Sequence, residues 1–481
     1  MTTILSTPSG VATGPSTASV GCYVTVPLFF RNYVAGTLGA NATFARSSSA
    51  TIIDHEGVIR TVPSGAARFN GLRYVRNLCS NAPDFSDWQI DATYPGTRTL
   101  GITDPFGGNT AAIFDANLGT DGHAYIGPGT IYSVGASAKG IVSVFVRRIS
   151  GSGYVSVRTP DNTDITIYPT SEWQRFSCAS SAYYNGHFYG QIIVQNGSSI
   201  AVACYQIENA TGRADTTTPS EYVSVGVLPA PYHGANVDGV KYFATENGNS
   251  VVSNVVTEGT GAAIAGGYLL MEPAATNRCD YSEAFDNAAW TKSNCTITAN
   301  SIASPAGATT ADTLTATAAN ASCLDSITLA SSTVRFSVYL KRKTGTGNID
   351  LTVDGGSTWT TKAITSEWAR YDITQAAVTN PNVGIRIVTS GDEVYAWGAQ
   401  LTQQSAISSY IPTSGSAVTR AAETLSYSGA WTADNETRAI TDAGTVDTDD
   451  WDGIVDATIN GADNLAQITS IDVYTTGERP A

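Results

Sequence analysis

The heptapeptide Thr170-Ser-Glu-Trp-Gln-Arg-Phe176 returns 195 residues later as Thr365-Ser-Glu-Trp-Ala-Arg-Tyr371. A repeat constrains the fold strongly, because each copy must bury its apolar residues in the same way. Other pairs keep the same order. Asn77-Leu-Cys79, Phe85 and Trp88 match Asn277-Arg-Cys279, Phe285 and Trp290. Asp104-Pro-Phe-Gly-Gly-Asn-Thr-Ala111 matches Ser304-Pro-Ala-Gly-Ala-Thr-Thr-Ala311, and Val142-Ser-Val-Phe-Val-Arg-Arg148 matches Phe336-Ser-Val-Tyr-Leu-Lys-Arg342. Ala203-Cys-Tyr-Gln-Ile207 stands opposite Trp397-Gly-Ala-Gln-Leu401, and Tyr222 opposite Tyr410. The offset drifts only from 200 to 188 residues, so the chain carries two copies of one module of about 145 residues.

Each landmark has the period of a strand. Val142–Arg148 and Phe336–Arg342 alternate apolar with polar or basic residues, which predicts one face on a core and one toward water. Tyr154-Val-Ser-Val-Arg158, Ile165 with Ile167, and Ile385 with Ile387 do the same. Turn formers such as Gly151-Ser-Gly153, Gly345-Thr-Gly347 and Asp354-Gly-Gly356 separate these runs. The expected fold is all-β, with tandem β-sandwich (jelly-roll) domains. In the repeated heptapeptide, alternation puts Trp368 and Arg370, like Trp173 and Arg175, on one face, and Tyr371 or Phe176 on the other. Sheet-edge packing, with the arginine stacked beside the tryptophan, outweighs a binding role for these residues.

Composition excludes several classes. Only 14% of the 481 residues are charged, and the formal net charge is −15. That charge argues against sequence-independent nucleic-acid binding, which needs clustered Lys and Arg. It concentrates at the end: residues 427–481 hold nine Asp and two Glu against Arg438 and Arg479. No stretch approaches the roughly 18 consecutive apolar residues of a membrane span, and the N-terminus lacks the pattern of a signal peptide. Folding in the cytoplasm that made the chain is therefore expected. Seven cysteines without a CxxC pair signal neither a disulfide framework nor a zinc site.

The strings EPAATNRCDYSEAFDNAAWTKSN, SPAGATTADTL, FSVYLKR, TSEWARYDIT and SSYIPTSGSAVTRAAE resemble a module found in tailed-bacteriophage virion proteins. That module is similar to the carbohydrate-binding jelly rolls appended to glycan-degrading enzymes. The resemblance is close over 268–424 and looser over 72–228, where Ser220-Glu-Tyr-Val-Ser224 replaces the SYIPT ending. It implies an attachment segment at 1–40, a lead-in at 41–71, a first jelly roll at 72–228, a linker and second lead-in at 229–267, a second jelly roll at 268–424, and a small acidic β-rich region at 425–481. Jelly rolls of this kind often hold a structural calcium, so no cofactor is required and such an ion is an expectation for either copy.

No residue stands out as catalytic. His55, His123, His187 and His233 fall at non-corresponding places and in no known catalytic motif. Asp447-Thr-Asp-Asp-Trp-Asp-Gly453 resembles the start of an EF-hand but lacks carboxylates at the first and twelfth positions; Asp449, Asp450 and Asp452 remain candidates for a weaker calcium site or a solvated turn. Glycan recognition needs aromatic faces with polar groups at their edges. The candidates are Trp359 with Tyr371 in the second copy, and Tyr183, Tyr184, His187 and Tyr189 in the first. The competing reading of the first-copy cluster is packing on its own sandwich or a neighbouring subunit. The segment Val20–Arg31 either docks on a larger particle by strand addition or is simply a first strand.

The resemblance implies a non-enzymatic virion structural protein, a head fibre or decoration or a tail-fibre adhesin. Its expected partners are other virion proteins, its own copies (a trimer favoured) and host-surface glycans, with no nucleic acid and no membrane insertion. The alternatives are a virion-associated glycan-degrading enzyme and a secreted bacterial glycan-binding protein.

Overall fold

The computed structural model describes residues 38, 42–80, 85–90, 96–116, 123–128, 132–133, 138–159, 163–180, 187–188, 190–226, 235–247, 250–252, 255–257, 261–264 and 268–427, with short strands at 22–24, 430–433, 436–439 and 459–460. Among them the only helix is the 3-10 turn Phe85–Asp87; the rest of the regular structure is strand. The all-β tandem sandwich is thus what these residues build. The expected attachment segment and acidic region fall, apart from those short strands, outside the described residues.

Each module is a sandwich of two five-stranded antiparallel sheets. In the first copy one sheet runs Asp164–Ile167, Val155–Arg158, Gln191–Gln195, His123–Gly127, Gln89–Ile90. Its partner runs Gln174–Ala179, Gly140–Ser150, Ser198–Asn209, Ala111–Ala116, Thr97–Ile102. The second copy repeats this order strand for strand: Thr360–Lys362, Ile349–Thr352, Asn382–Ile387, Ala321–Ser326, Trp290–Ser293, and Ala369–Val378, Ser332–Thr344, Glu393–Thr402, Thr309–Ala316, Cys295–Ala303. The alternation read from sequence selects the inward residues. Phe336, Val338 and Leu340 are fully buried in one core, as are Val144 and Val146 in the other.

The opposite face of those strands does not meet water as expected. Phe145 and Ser143 are buried, and Tyr339 packs with Trp397, Tyr410 and the half-buried Trp368 around Ile59, which comes from a distant hairpin. That hairpin, Ala50–Ile53 with Ile59–Val62, precedes the first module in sequence yet lies on the second. Ile59 N–H donates to Pro305 O at 2.9 Å and Thr51 Oγ1 to Tyr410 O at 2.6 Å. The two lead-ins also share a core of their own, in which Phe44, Phe69, Tyr242, Leu269 and Met271 meet. The strand Ala42–Ala45 pairs with Thr424–Tyr427, so the chain closes on its beginning.

A buried charge cluster sits at this closure. Glu423 accepts from Arg46 Nη1 at 2.7 Å, from Arg68 Nε and Nη2 at 2.6 Å each, and from the Glu272 N–H at 2.8 Å. Arg68 Nη2 also reaches Glu272 at 2.8 Å, and Arg420 lies 3.5 Å from the same carboxylate. Burial acts to raise the Glu272 carboxyl, but Arg420, Arg68 and the Ser409 hydroxyl outweigh it and hold the group at about 2. It therefore stays ionised through mild acid.

Asp325 is the opposite case. It is buried beside Trp290 in the second sandwich and its Oδ2 has no hydrogen-bond partner. Burial, helped by Asp280, pushes its carboxyl up to about 6. A folded value above the unfolded one means that stability grows as pH falls through about 6 and is reduced above it. Asp325→Asn is therefore expected to stabilise the second module by about 1–2 kcal/mol at pH 7, with a smaller gain at pH 4. Thermal unfolding at the two pH values measures the difference.

Candidate functional site

The outer face of the sheet that contains Ile349–Thr352 is the best-organised open surface of the second module. Ile349, Leu351, Val383, Ile385 and Ile387 point into the core, so Asp350, Thr352, Gly384 and Arg386 face the other way, where Asp350, Thr352 and Gly384 are covered and Arg386 is half-buried. Register places Ser322, Arg386, Asp350 and Thr361 side by side across four strands. Arg386 donates from Nε and Nη2 to Asp350 Oδ2 at 2.9 and 2.6 Å, and Thr361 Oγ1 donates to Oδ1 at 2.7 Å. The guanidinium is therefore fixed in plane above the sheet.

Trp359 lies over it. The indole centroid is 4.5 Å from Arg386 Cζ, and the ring remains half exposed. The loop that delivers it is built by local hydrogen bonds: Gly356 N–H donates to Thr352 Oγ1 at 3.0 Å and Thr358 N–H to Asp354 Oδ1 at 2.9 Å. Gly356 has φ +90°, and a Cβ there would come within 2.8–2.9 Å of the indole, so the ring rests on bare backbone. Neighbouring Gly384 leaves the floor flat: a Cβ there would strike the Cys323 carbonyl. A half-exposed aromatic plate braced on a fixed cation can stack a planar or sugar-like ring, while the buried Asp350 carboxylate, engaged by Arg386 and Thr361, holds the guanidinium in place.

The other predicted residues are not gathered at this face. Tyr371 belongs to the opposite sheet, where its half-buried ring packs on the core and its hydroxyl donates to Ala363 O at 3.2 Å. Tyr183, Tyr184 and Tyr189 lie outside the described residues, as does the side chain of His187. Asp449, Asp450 and Asp452 also lie outside them. Among the described residues no group of three or more His, Cys, Asp or Glu is placed to hold a metal ion. Cys79, Cys178, Cys204, Cys279, Cys295 and Cys323 form no disulfide among the described residues.

In the first module the same face has different chemistry. Ser156 and Ile193 occupy the places of Asp350 and Arg386, while Thr166 keeps that of Thr361. Tyr168 continues the outward row Asp164, Thr166 and is 69% exposed, the most open large hydrophobic side chain among the described residues. The alternation around Ile165 and Ile167 held the signal for it, since residues two apart share a face.

The repeated heptapeptide makes the same structural contacts in both copies. Glu172 N–H donates to Thr170 Oγ1 at 3.3 Å, as Glu367 N–H does to Thr365 Oγ1 at 3.2 Å. Arg175 and Arg370 each reach a serine, Ser143 and Ser337, at 2.9 Å. The arginine stacks on the residue across the ladder rather than on the tryptophan: Arg175 on Phe145 and Arg370 on Tyr339. In the second copy this outer face borders a cleft of about 750 Å³, lined also by the Ala50–Ile53 hairpin and by Ile407–Tyr410.

No family model matches the chain, and no curated protein matches it. Among solved structures, the tandem CBM22-1–CBM22-2 domain from Paenibacillus barcinonensis Xyn10C is similar over 70% of this chain and 98% of that one, with 9% identity and a TM-score of 0.21. TmCBM61 in complex with beta-1,4-galactotriose is similar over 28% of this chain and 99% of that one, with 13% identity and a TM-score of 0.23. The enzymatically active domain of bacteriophage CBA120 tailspike protein 4 is similar over 26% of this chain and 21% of that one, with 11% identity and a TM-score of 0.21.

Proposed function

We propose that the chain is a non-enzymatic virion protein that displays two glycan-binding sandwiches, and that the outer sheet face around Trp359 is the glycan-binding surface of the second. The observation that carries the glycan reading is the half-exposed indole fixed over the Asp350-paired Arg386 on a flat floor. Such a plate supplies stacking at low entropic cost, and its polar rim supplies orientation. The virion setting rests on the resemblance of the 268–424 sequence to phage modules, and the N-terminal segment is its proposed attachment point to other virion proteins. Two modules per chain in a homo-oligomer, with a trimer favoured, would raise avidity from individually weak sites.

Trp359→Ala is expected to weaken retention on host surface polysaccharide about tenfold, the scale of one lost aromatic stack. Affinity electrophoresis of the full chain in polysaccharide gels measures it, and unchanged mobility would sink the proposed face. Release of reducing ends from the same polysaccharide would instead favour a glycan-degrading enzyme. Antibody labelling of intact virions distinguishes a head from a tail location.

A further inference from the structure

The cleft between the Ala50–Ile53 hairpin and the second module contains an arginine, Arg370, that makes no ion pair among the described residues. In the first copy Arg175 lies in the field of Glu208 and Glu221, which pair with Arg213 and Arg73. The second copy has Thr402 and Ser409 at those two places. Arg370 keeps its neutral contacts, from Nη1 to Ser408 O at 2.6 Å and from Nη2 to Ser337 Oγ at 2.9 Å. Its Nε is buried without a partner, and it makes no ion pair among the described residues. Glu272 also lines the cleft, but its charge is engaged by Arg68 and Arg420. A cation held against a low-dielectric wall without a carboxylate favours an anion brought from outside.

The space beside this arginine is walled by the hairpin, which packs on the second copy. In the first module Phe106 stacks on Tyr222 and packs edge-on to Phe145, with centroids 5.9 and 6.1 Å apart. Ala306 replaces Phe106 in the matching turn, and Trp397, in the place of Ala203, packs on Tyr410 with centroids 4.6 Å apart in one cluster with Ala306 and Ile59. Beside this cluster lies a cleft of about 750 Å³ with the half-exposed Trp368 on one side and Ile53 and Ile407, 43% and 39% exposed, on its walls. The indole N–H is satisfied by Ala303 O at 3.1 Å, which fixes the ring. An aromatic wall beside an unneutralised guanidinium matches a ring that carries a carboxylate.

We infer that this cleft binds an acidic sugar, with the ring against Trp368 and the carboxylate at Arg370. The inference rests on the glycan-binding reading of the second module and adds a sugar class and a second subsite to it. Calorimetric titration of the full chain with glucuronate, glucose and sulfate tests it. Glucuronate is expected to bind, with glucose and sulfate each at least about tenfold weaker, because one lacks the charge and the other the ring. Arg370→Gln is expected to lower glucuronate affinity at least about tenfold. Ile407→Glu, an exposed substitution that puts a like charge at the rim, is expected to do so without changing the melting temperature. No glucuronate binding, equal binding of glucose or sulfate, or undiminished affinity in Ile407→Glu would overturn the inference. The sheet face is tested separately by Trp359→Ala on polysaccharide, so either site can fail alone.

Discussion

Glu423→Ala is expected to destabilise the protein by about 3–5 kcal/mol, the cost of leaving buried cations without their partner. Its carboxylate is fully buried and is the shared acceptor of Arg46, Arg68 and the Glu272 N–H. Removing it leaves Arg46 without its ion pair and Arg68 and Arg420 sharing Glu272 alone, where the strand Ala42–Ala45 meets Thr424–Tyr427. Glu423→Gln retains an acceptor and fits the space, so it is expected to lose less. Urea unfolding monitored by tryptophan fluorescence measures both variants. A loss within 0.5 kcal/mol, the size of a change at an ordinary surface site, would mean that the cluster does not hold the closure together.

The effect should not be spread evenly over the molecule. The cluster joins residues hundreds of positions apart, Arg46 to Glu423 and Arg68 to Glu272, while each sandwich has a separate core. Loosening it frees the Ala50–Ile53 hairpin and with it the outer face of the second module, where Ile59 packs with Trp397 and Tyr410. Hydrogen exchange in Glu423→Ala should therefore rise first in the hairpin and the strand Ala42–Ala45, and later in the sandwich strands.

What the sequence reveals here follows from range. Period two is local, so Phe336, Val338 and Leu340 declared their face without any knowledge of a partner strand. The order of repeated landmarks was equally plain, because duplication leaves a fixed offset. The lead-ins were opaque for the opposite reason: their core assembles Phe44, Tyr242 and Leu269, each from a segment with too few apolar residues to indicate a core alone. Trp359 could be singled out by residue type, but its platform could not. Asp350 and Arg386 are 36 positions apart and become neighbours only once strand register is known. Tyr168 was readable from alternation yet hidden among 23 tyrosines.

Asn277→Ala is expected to cost the second module about 3–5 kcal/mol, because it orphans buried backbone groups rather than removing one contact. The side chain is fully buried and makes four bonds: Nδ2 to Ala399 O at 3.0 Å and Ile411 O at 2.8 Å, with Oδ1 accepting from Cys279 N at 3.1 Å and Leu401 N at 3.1 Å. Asn77 repeats the device in the first module, with Tyr205 O, Val223 O, Cys79 N and Ile207 N at 3.0–3.2 Å. In each copy the amide ties the strand that enters the sandwich to the one that ends it and to the strap that follows. Asp at this position would accept the two N–H groups but set its charge against two carbonyls, so Asn277→Asp should be nearly as damaging as Ala. If the two clips act independently, Asn77→Ala and Asn277→Ala lower separate calorimetric transitions and the double variant adds their losses. A single transition lowered equally by either variant would instead mean that the shared core of the lead-ins couples the sandwiches into one cooperative unit.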